Sequence, residues 1–283
     1  MQVSLGCVTT APGLEFSELS KADNVFFITP SASGDDIPDG ANGYQMCFAD
    51  GNQGAAAAKY VNESGMKSIG IFYKSDDPYS DGIYKQFKAA LNTDIATIDA
   101  SFTDANATDF SAQIAMLKNC NFVFMPIYYQ PASLFMTQAK DILPKNATYY
   151  GCDGFDGLET KFDVTAVPQE ITMLSHFNSK ATDGKAGEFI TKYTEKYGTD
   201  TLNQFGASAY DCVYAIYGAM KAAVEAGIDI PADISASDLC EILKAQFNGG
   251  YTFSGATGEN VKWQSNGYVD KAAIKFVIKE KNA

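Results

Sequence analysis

The sequence predicts an α/β fold in which parallel strands alternate with helices. Short runs of apolar, β-branched and aromatic residues recur along the chain, and glycine, proline, asparagine, aspartate or serine bounds each run. Between these runs lie amphipathic stretches of helical length, a pattern typical of βαβ units. The chain has 283 residues, of which 46% are hydrophobic and 19% charged, so it is long enough for one large or two medium domains.

One stretch near the start shows how such a unit would carry a site. Val25–Ile28 is a short apolar run that predicts a buried strand. Thr29-Pro30 ends this strand, because proline donates no backbone N–H and biases the residue before it towards extended geometry. Ser31 and Ser33 then follow on a loop of small residues. Hydroxyl and N–H groups at the carboxyl edge of a parallel sheet favour a small-ligand site.

The remaining elements of the first half follow from hydrophobic periodicity and from capping residues. Asp50-Gly51-Asn52 and Asp109 are predicted to cap helices, since short polar side chains accept hydrogen bonds from the first backbone N–H groups. The predicted strands are Met1–Leu5, Tyr44–Phe48, Ile69–Tyr73, Ile95–Phe102, Phe122–Pro126, Thr148–Gly151 and Ile171–Ser175, and the predicted helices are Gly13–Lys21, Ala55–Glu63, Ser80–Leu91, the Asp109-capped helix through Lys118, and Ala132–Ile142.

The last part of the chain has a different pattern, with three helices in near succession followed by short strands. The helices are predicted at Gly184–Tyr197, Phe205–Ala226 and Ala236–Phe247, and the strands at Tyr251–Ser254, Val261–Gln264 and Ala272–Ile278. A glycine turn at Gly255–Gly258 follows the first of these strands. Asn266-Gly267 lies between the other two strands and predicts a hairpin there, because Asn-Gly suits the tight turns of antiparallel pairs.

Charge and cysteine content exclude several classes of function. The net charge is −13 and all 21 basic residues are lysine, so nucleic-acid binding is not expected, and any anion must be held by lysine or by neutral donors. The six cysteines are widely spaced, and His176 is the single histidine, which argues against a metal site and against a catalytic cysteine or serine with a histidine base. The sequence predicts no metal, no cofactor and no catalytic residue.

Polar side chains recur just after the predicted strands, where open α/β sheets bind ligands. They are Thr9 and Thr10 after the first strand, Ser31 and Ser33 after the second, then Tyr79, Tyr128 with Tyr129, and Asp153. Hydroxyls and turn N–H groups hold a carboxylate without arginine, and a carboxylate such as that of Asp153 accepts from an ammonium group. Tyrosines form walls with a polar tip. The set therefore predicts a pocket for a zwitterion.

With these residues in place, the sequence resembles the leucine/isoleucine/valine-binding family of solute receptors that feed ABC importers. The matching segments are GCVTT at Gly6–Thr10, ITPSAS at Ile28–Ser33, CFADGNQGAAAAKY at Cys47–Tyr60, DDPYSDG at Asp76–Gly82, TDFSAQIAMLK at Thr108–Lys118, FVFMPIYY at Phe122–Tyr129, GCDGFD at Gly151–Asp156 and FGASAYDCVY at Phe205–Tyr214. Their order and spacing extend over nearly the whole chain.

The resemblance implies the type I periplasmic-binding-protein fold, with two doubly wound α/β lobes joined by three chain crossings and closing on ligand like a hinge. The expected lobes are residues 1–49 with 178–267, and residues 50–177 with 268–283. Family members begin with two further strand–helix units, so the first lobe is expected to be incomplete. From this we expect a homodimer or an exchange of elements, because an unpaired strand edge favours pairing with another chain.

The family also implies roles for individual positions. Hydroxyls and N–H groups at the positions of Thr10, Ser31 and Ser33 would hold the ligand carboxylate, and the backbone carbonyl of Ser31 would accept from its ammonium group. The acid at the position of Asp153 would pair with the ammonium group, although the leucine receptors carry glutamate there.

Aromatic positions complete the implied site. Tyr79 and Tyr128 would contribute from the second lobe, and Phe205 matches an aromatic residue beside the ligand. The side chain of the ligand stays open at this point: an aliphatic amino acid is the first expectation, with aromatic and small polar ones as alternatives.

The sequence favours a receptor that binds an α-amino acid and docks on a membrane permease, outside the cytoplasm in the periplasm or as a lipid-anchored lipoprotein. The first residues lack a basic region followed by a long apolar core, so no export signal is expected within this chain. One alternative is a ligand-sensing regulatory domain of the same fold. Another is a hydrolase that uses Asp153 and Asp156, since paired carboxylates catalyse glycoside cleavage when they face each other about 5–9 Å apart.

Overall fold

The structure is a computed structural model that describes residues 1–278, and contacts divide it into two units. Unit 1 comprises Met1–Ala49 and His176–Ala272, and unit 2 comprises Asp50–Ser175 and the segment that begins at Ala273. Within residues 1–278, no helix combines the length and the apolar character needed to cross a bilayer.

Eleven strands and eight α-helices are described. In chain order they are β1 (Val3–Leu5), α1 (Thr10–Ala22), β2 (Phe26–Thr29), β3 (Gly43–Gln45), α2 (Asp50–Glu63), β4 (Ser68–Lys74), α3 (Pro78–Ala90), β5 (Ala96–Phe102), α4 (Ser111–Leu117), β6 (Phe122–Met125), α5 (Tyr129–Ala139), β7 (Thr148–Gly151), β8 (Glu170–Ser175), α6 (Gly184–Tyr197), α7 (Gln204–Glu225), α8 (Ala236–Asn248), β9 (Thr252–Gly255), β10 (Gly258–Lys262) and β11 (Ile274–Val277).

The main sheet of unit 1 is parallel and has the order β1-β2-β3. Its central strand β2 is fully buried, as the run of apolar residues from Val25 predicts. On one side of the sheet the rings of Phe26 and Tyr44 stack at 5.1 Å between centroids, and both pack against Phe247 of α8. Strand β1 forms the other edge, where Leu5 is exposed. The sheet is therefore covered by helices and leaves the outer edge of β1 unpaired within the described chain.

The sheet of unit 2 has six strands in the order β11-β8-β7-β6-β4-β5. All pairs are parallel except β11 with β8, which is antiparallel. An aromatic core that includes Phe72, Phe102, Phe110 and Phe135 packs beneath it, with the rings of Phe72 and Phe135 4.3 Å apart. Because β6 and β7 are neighbours with parallel register, the loops that follow them leave from the same edge of the sheet.

Helices α2 and α3 of unit 2 pack closely against each other, and a glycine permits the approach. A Cβ at Gly54 would lie 2.8 Å from the backbone nitrogen of Phe87, closer than a real side chain allows. Helix α3 begins at Pro78, with the Asp77 side chain accepting from the backbone N–H of Ser80 at 3.0 Å. This cap fixes the first turn of α3, which carries Tyr79.

Three sequence-based expectations differ from the structure. The Asn266-Gly267 turn forms, and across it Trp263 pairs with Val269 and the Gln264 N–H donates to the Tyr268 carbonyl at 2.8 Å, but the pairing ends there. The following segment instead pairs with β8 through β11, because β8 otherwise has a free edge, and so the predicted hairpin between these two strands is wrong.

The unit boundaries were also expected at slightly different places. The second boundary falls after Ser175 rather than after residue 177, because His176 hydrogen-bonds to α7 of unit 1. The third falls after Ala272 rather than after residue 267, because the buried Lys271 donates to Thr257 of unit 1. Residues 279–283, which the expectation assigned to the second lobe, lie outside the described residues.

Candidate functional site

In unit 1, the loops that follow β1 and β2 are joined by hydrogen bonds from hydroxyl side chains. Ser31 Oγ donates to the carbonyl of Val8 at 2.7 Å, and Thr29 Oγ1 donates to the carbonyl of Cys7 at 2.9 Å. The Thr29 oxygen also accepts from the N–H groups of Ser31 and Ala32, at 3.3 and 2.8 Å. Thr29 therefore fixes both loops, although the sequence pattern marks it only as the end of a strand.

Thr10 lies at the start of α1 beside these loops. Its side chain is buried, and its Oγ1 has no hydrogen-bond partner among the described residues. A Cβ at Gly34 would lie 2.6 Å from the Thr10 methyl group, so the two loops approach each other closely. Because a buried hydroxyl without a partner is costly, and because helix N-termini favour anions, this position suits a ligand carboxylate.

Ser33 and Thr9 complete the hydroxyl set. Ser33 is buried, whereas Thr9 is half-buried and lies at the N-cap of α1 without a side-chain capping bond. The loop that carries Ser33 is held by Gln45 of β3, whose Nε2 donates to the carbonyls of Ala32 and Gly34 at 3.2 and 3.1 Å.

In unit 2, Asp153 lies just after β7 in a short 3₁₀ turn, Asp153–Phe155, and its carboxylate contacts Tyr79. The Tyr79 hydroxyl donates to Asp153 Oδ1 at 2.6 Å and accepts from the Gly154 N–H at 2.9 Å. The ring of Tyr79 stacks on that of Tyr128, with centroids 4.5 Å apart and 17° between the planes. The structure thus brings together the three unit 2 residues that the sequence predicted.

Burial shifts the pKa values of Asp153 and Tyr79. Both Asp153 and Tyr79 are 2% exposed. Burial raises the pKa of Asp153 to about 6, although hydrogen bonds from Tyr79, from Gln53 and from the Gly154 N–H lower it. Burial also raises the pKa of Tyr79 well above its ordinary value, so its hydroxyl stays a donor. A cation next to Asp153 would therefore stabilise its ionised form.

Gln53 is a contact that the sequence patterns did not reveal. Its Oε1 accepts from the backbone N–H of Asp153 at 2.9 Å, and the residue is fully buried. The helix was predicted to start at Ala55, whereas α2 begins at Asp50 and carries Gln53 on its buried side. The available signal was a glutamine beside Gly54, Ala57 and Ala58, the small residues on the buried side of the helix.

Three other sequence candidates lie in less direct positions. Tyr129 packs against the aromatic core of unit 2, so Tyr128 is the tyrosine of that pair next to Tyr79. Phe205 lies half-buried in the first turn of α7. Asp156 is buried on the same turn as Asp153, where its N–H donates to the Asp153 carbonyl at 2.9 Å.

Residues 1–278 contain no group of three histidine, cysteine, aspartate or glutamate side chains that could hold a metal ion. The six cysteines form no disulfide bond in the described chain; five of them are buried and Cys7 is half-buried.

Two α/β units, each with polar side chains beyond the carboxyl ends of parallel strands, are the arrangement expected of two-lobed solute-binding proteins. A family model described as periplasmic binding protein matches residues 1–277, and the chain belongs to this family. Among curated proteins, the Leu/Ile/Val-binding protein BraC3 of Rhizobium johnstonii is 28% identical over 161 residues, which cover 55% of this chain and 43% of that protein. The chain thus aligns with less than half the length of this relative.

Solved structures show the same fold at lower sequence identity. The leucine-binding protein LivK of Thermotoga maritima matches 99% of this chain and 77% of its own chain, with a TM-score of 0.83 and 22% identity. LivJ of Streptococcus pneumoniae, in complex with isoleucine, has a TM-score of 0.80 and 23% identity over 98% of this chain and 76% of its own. A solute-binding protein of R. palustris in complex with benzoate has a TM-score of 0.81 and 16% identity over 99% and 75%.

These comparisons confirm the resemblance to the leucine/isoleucine/valine-binding family and the type I periplasmic-binding-protein fold. The family is described as periplasmic binding protein, and the LivJ structure as a branched-chain amino acid transporter substrate binding protein.

Proposed function

We propose that this chain is the extracytoplasmic receptor of an ABC importer and that it binds an α-amino acid with an apolar side chain, branched-chain ones first. The observation that carries the proposal is the buried carboxylate of Asp153, held at the end of β7 by Tyr79. A buried acid with a raised pKa is stabilised by a cationic partner, and the ammonium group of an amino acid supplies one.

The hydroxyl-bearing loops of unit 1 suit the other end of such a ligand. Thr10 and Ser33 bring hydroxyl and N–H groups to the ends of β1 and β2, and the chain has no arginine for a carboxylate. Ser31 already donates its hydroxyl to Val8 and its N–H to Thr29, so its part is to hold the loop and to offer its backbone carbonyl to the ammonium group. We propose that these neutral donors bind the ligand carboxylate, and that Asp153 binds its ammonium group. Tyr128 and Phe205 would contact the apolar side chain. The hinge closure that the family resemblance implies would then present the liganded form to a membrane permease.

An aromatic carboxylate is a second candidate ligand, since a protein of the same fold has been solved with benzoate. The stacked Tyr79–Tyr128 pair favours an aromatic ring. Benzoate, however, carries no ammonium group to interact with the Asp153 carboxylate. An amino acid offers a group both to the donors of unit 1 and to Asp153 of unit 2, so we prefer the amino-acid proposal.

The other two alternatives differ in the step after ligand binding. A regulatory sensor would share the ligand and signal to a protein partner instead of a permease. A hydrolase would need Asp153 and Asp156 to face a substrate from opposite sides, whereas both lie on one short turn with the Asp153 carboxylate bonded to Tyr79. We therefore propose a binding protein without catalytic activity.

Calorimetry and thermal shift with a ligand panel test the proposal. The panel contains leucine, isoleucine, valine, phenylalanine, alanine and benzoate, and a ligand at about 100 times its Kd should raise the free energy of unfolding by about 2.7 kcal/mol. We expect the branched-chain amino acids to bind and Asp153→Asn to lose this binding. The control Asp229→Asn removes an exposed acid of unit 1 and should bind as the unmodified protein does. Binding of benzoate alone, or of no amino acid, would overturn the proposal.

A further inference from the structure

Gln53 occupies an unusual place for a polar side chain. It lies one turn into α2 on the buried side of the helix, among Gly54, Ala57 and Ala58, and it is 0% exposed. A glutamine in such a place must satisfy one acceptor and two donor hydrogens, because an unsatisfied amide in the interior costs more than it contributes. Its partners therefore decide what it does.

Those partners are the acid of the candidate site and its neighbourhood. Gln53 Oε1 accepts from the Asp153 backbone N–H at 2.9 Å. A hydrogen bond from the Gln53 side chain also lowers the pKa of the Asp153 carboxyl, against the burial that raises it. Gln53 Nε2 further lies 3.5 Å from Asp50 Oδ1 in the first turn of the same helix. A neutral amide is the side chain that can bond both a backbone N–H and a carboxylate without adding charge.

The effect of Gln53 on the Asp153 pKa is important because burial and a neighbouring acid raise that pKa. Asp156 on the same turn raises the Asp153 pKa by its charge, and Asp50 of α2 acts in the same sense on neighbouring Tyr79 and Cys152. Tyr79 of α3 opposes these acids by donating to Asp153. Tyr128, at the start of α5, stacks on the Tyr79 ring and supplies no cation. Tyr79 and Gln53 are thus neutral groups that favour the ionised form of Asp153, against burial and the charge of Asp156.

We propose that Gln53 is a positioning residue for ligand binding, which fixes the backbone of Asp153 and holds its carboxylate in the ionised form that an ammonium group requires. This inference rests on the proposed function, and it adds to it a residue on a helix that follows the first crossing between the units. Removal of the amide should weaken ligand binding and should also shift its pH dependence.

The test measures the Kd of L-leucine by calorimetry from about pH 5 to about pH 8 for three variants. Gln53→Met removes the amide at similar length, and Gln53→Glu keeps an acceptor but replaces the donor by a further acid. The matched control Gln113→Met removes another buried glutamine of unit 2, whose Nε2 donates to the carbonyl of Ser101 at 2.8 Å. We expect Gln53→Met to weaken binding about tenfold or more, as loss of a hydrogen bond to a charged group does.

The pH profile separates a positioning role from a purely structural one. In both Gln53 variants the pH below which binding is lost should move upward, further in Gln53→Glu, whereas Gln113→Met should leave the profile unchanged. Leucine binding by the unmodified protein together with an unshifted profile in both Gln53 variants would overturn the inference and leave the proposed function standing. If the unmodified protein binds no amino acid of the panel, the proposed function itself fails.

A second measurement needs no ligand, so it tests the role of Gln53 whichever ligand the protein binds. The Asp153 carboxyl can be titrated by NMR in the unliganded protein with labelled aspartate, assigned with Asp153→Asn. Its pKa should be higher in Gln53→Glu than in the unmodified protein. Equal values in the two proteins would overturn the role of Gln53 whatever the ligand is.

Discussion

Replacement of Asp153 by asparagine should change how the stability of the unliganded protein depends on pH. Burial raises the Asp153 pKa from 3.8 to about 6, so the folded protein holds a proton that the unfolded chain releases in that range. The free energy of unfolding should then fall as pH rises from about 4 to about 6, and stay level above that range, because the folded state binds more protons there. Asparagine resembles the protonated acid and has no such titration.

The size of the effect follows from the shift. About two pKa units correspond to about 3 kcal/mol, which is the upper limit for the gain of Asp153→Asn over the unmodified protein above pH 6. Below about pH 4 both proteins carry a neutral group at this position, and the difference should become small. Other acids, among them Asp109, Asp163 and Glu241, have lowered pKa values. The stability that their ionised forms contribute is lost as pH falls. Their contribution cancels in the difference between the two proteins.

Urea unfolding at several pH values, followed by far-UV circular dichroism, measures this difference. The single tryptophan, Trp263, lies in unit 1, so its fluorescence reports separately on the unit that the substitution does not touch. Asp229→Asn makes the same charge change at an exposed position and should run parallel to the unmodified protein. A constant difference between Asp153→Asn and the unmodified protein across the whole range would refute the reasoning, because it would mean that Asp153 ionises as freely when folded as when unfolded.

Three further outcomes are expected. Thr29→Val removes the oxygen that joins the loops after β1 and β2, and should lower the free energy of unfolding by about 1–3 kcal/mol, measured by urea titration. It should also weaken leucine binding in calorimetry, and unchanged binding would contradict the proposed role of these loops. Asp211→Asn removes a buried acid whose charge favours the Lys271 cation and whose carboxylate accepts from Thr257, the residue to which Lys271 donates, and it should cost about 3–5 kcal/mol. Since burial lowers the Lys271 pKa to about 8, the cost measured by urea unfolding should shrink as pH rises to that value, and a constant cost would argue against a charged Lys271. The homodimer expected from the sequence stays a prediction: light scattering should give twice the monomer mass, and Leu5→Lys at the exposed edge strand should return it to a monomer, whereas a monomeric unmodified protein would contradict it.

Elements whose partners are near in sequence could be predicted well. Strand β7 was predicted at the bounds that the structure gives, and β6 to within its last residue, because short apolar runs with glycine, proline or polar boundaries are a local signal. The segment after Asn266-Gly267 illustrates the limit: its turn is encoded locally, but its pairing with β8 depends on a free strand edge about a hundred residues away.

The candidate site divides in the same way. The positions of Ser31, Tyr79 and Asp153 after strands could be predicted, because strand ends are local features and open α/β sheets bind ligands there. Gln53 could not, because its role comes from the packing of α2 on the turn after β7, a contact between residues a hundred positions apart. The family resemblance implied roles for single residues, whereas the hydrogen bonds that hold those residues are visible only in the three-dimensional structure.

The buried acid connects stability and binding through one proton. An ionised Asp153 lowers the stability of the unliganded fold at neutral pH, and the proposed ammonium group stabilises that same ionised form. The two pH profiles must therefore run in opposite directions: stability without ligand falls as pH rises towards about 6, while ligand affinity rises over the same range. A receptor that held its acid at the surface would show neither trend. If the two profiles have the same midpoint and opposite sign, and both midpoints move in the Gln53 variants, then one carboxyl group accounts for both profiles. The hydrogen bonds around Asp153 in unit 2 then determine the pH above which the ligand binds.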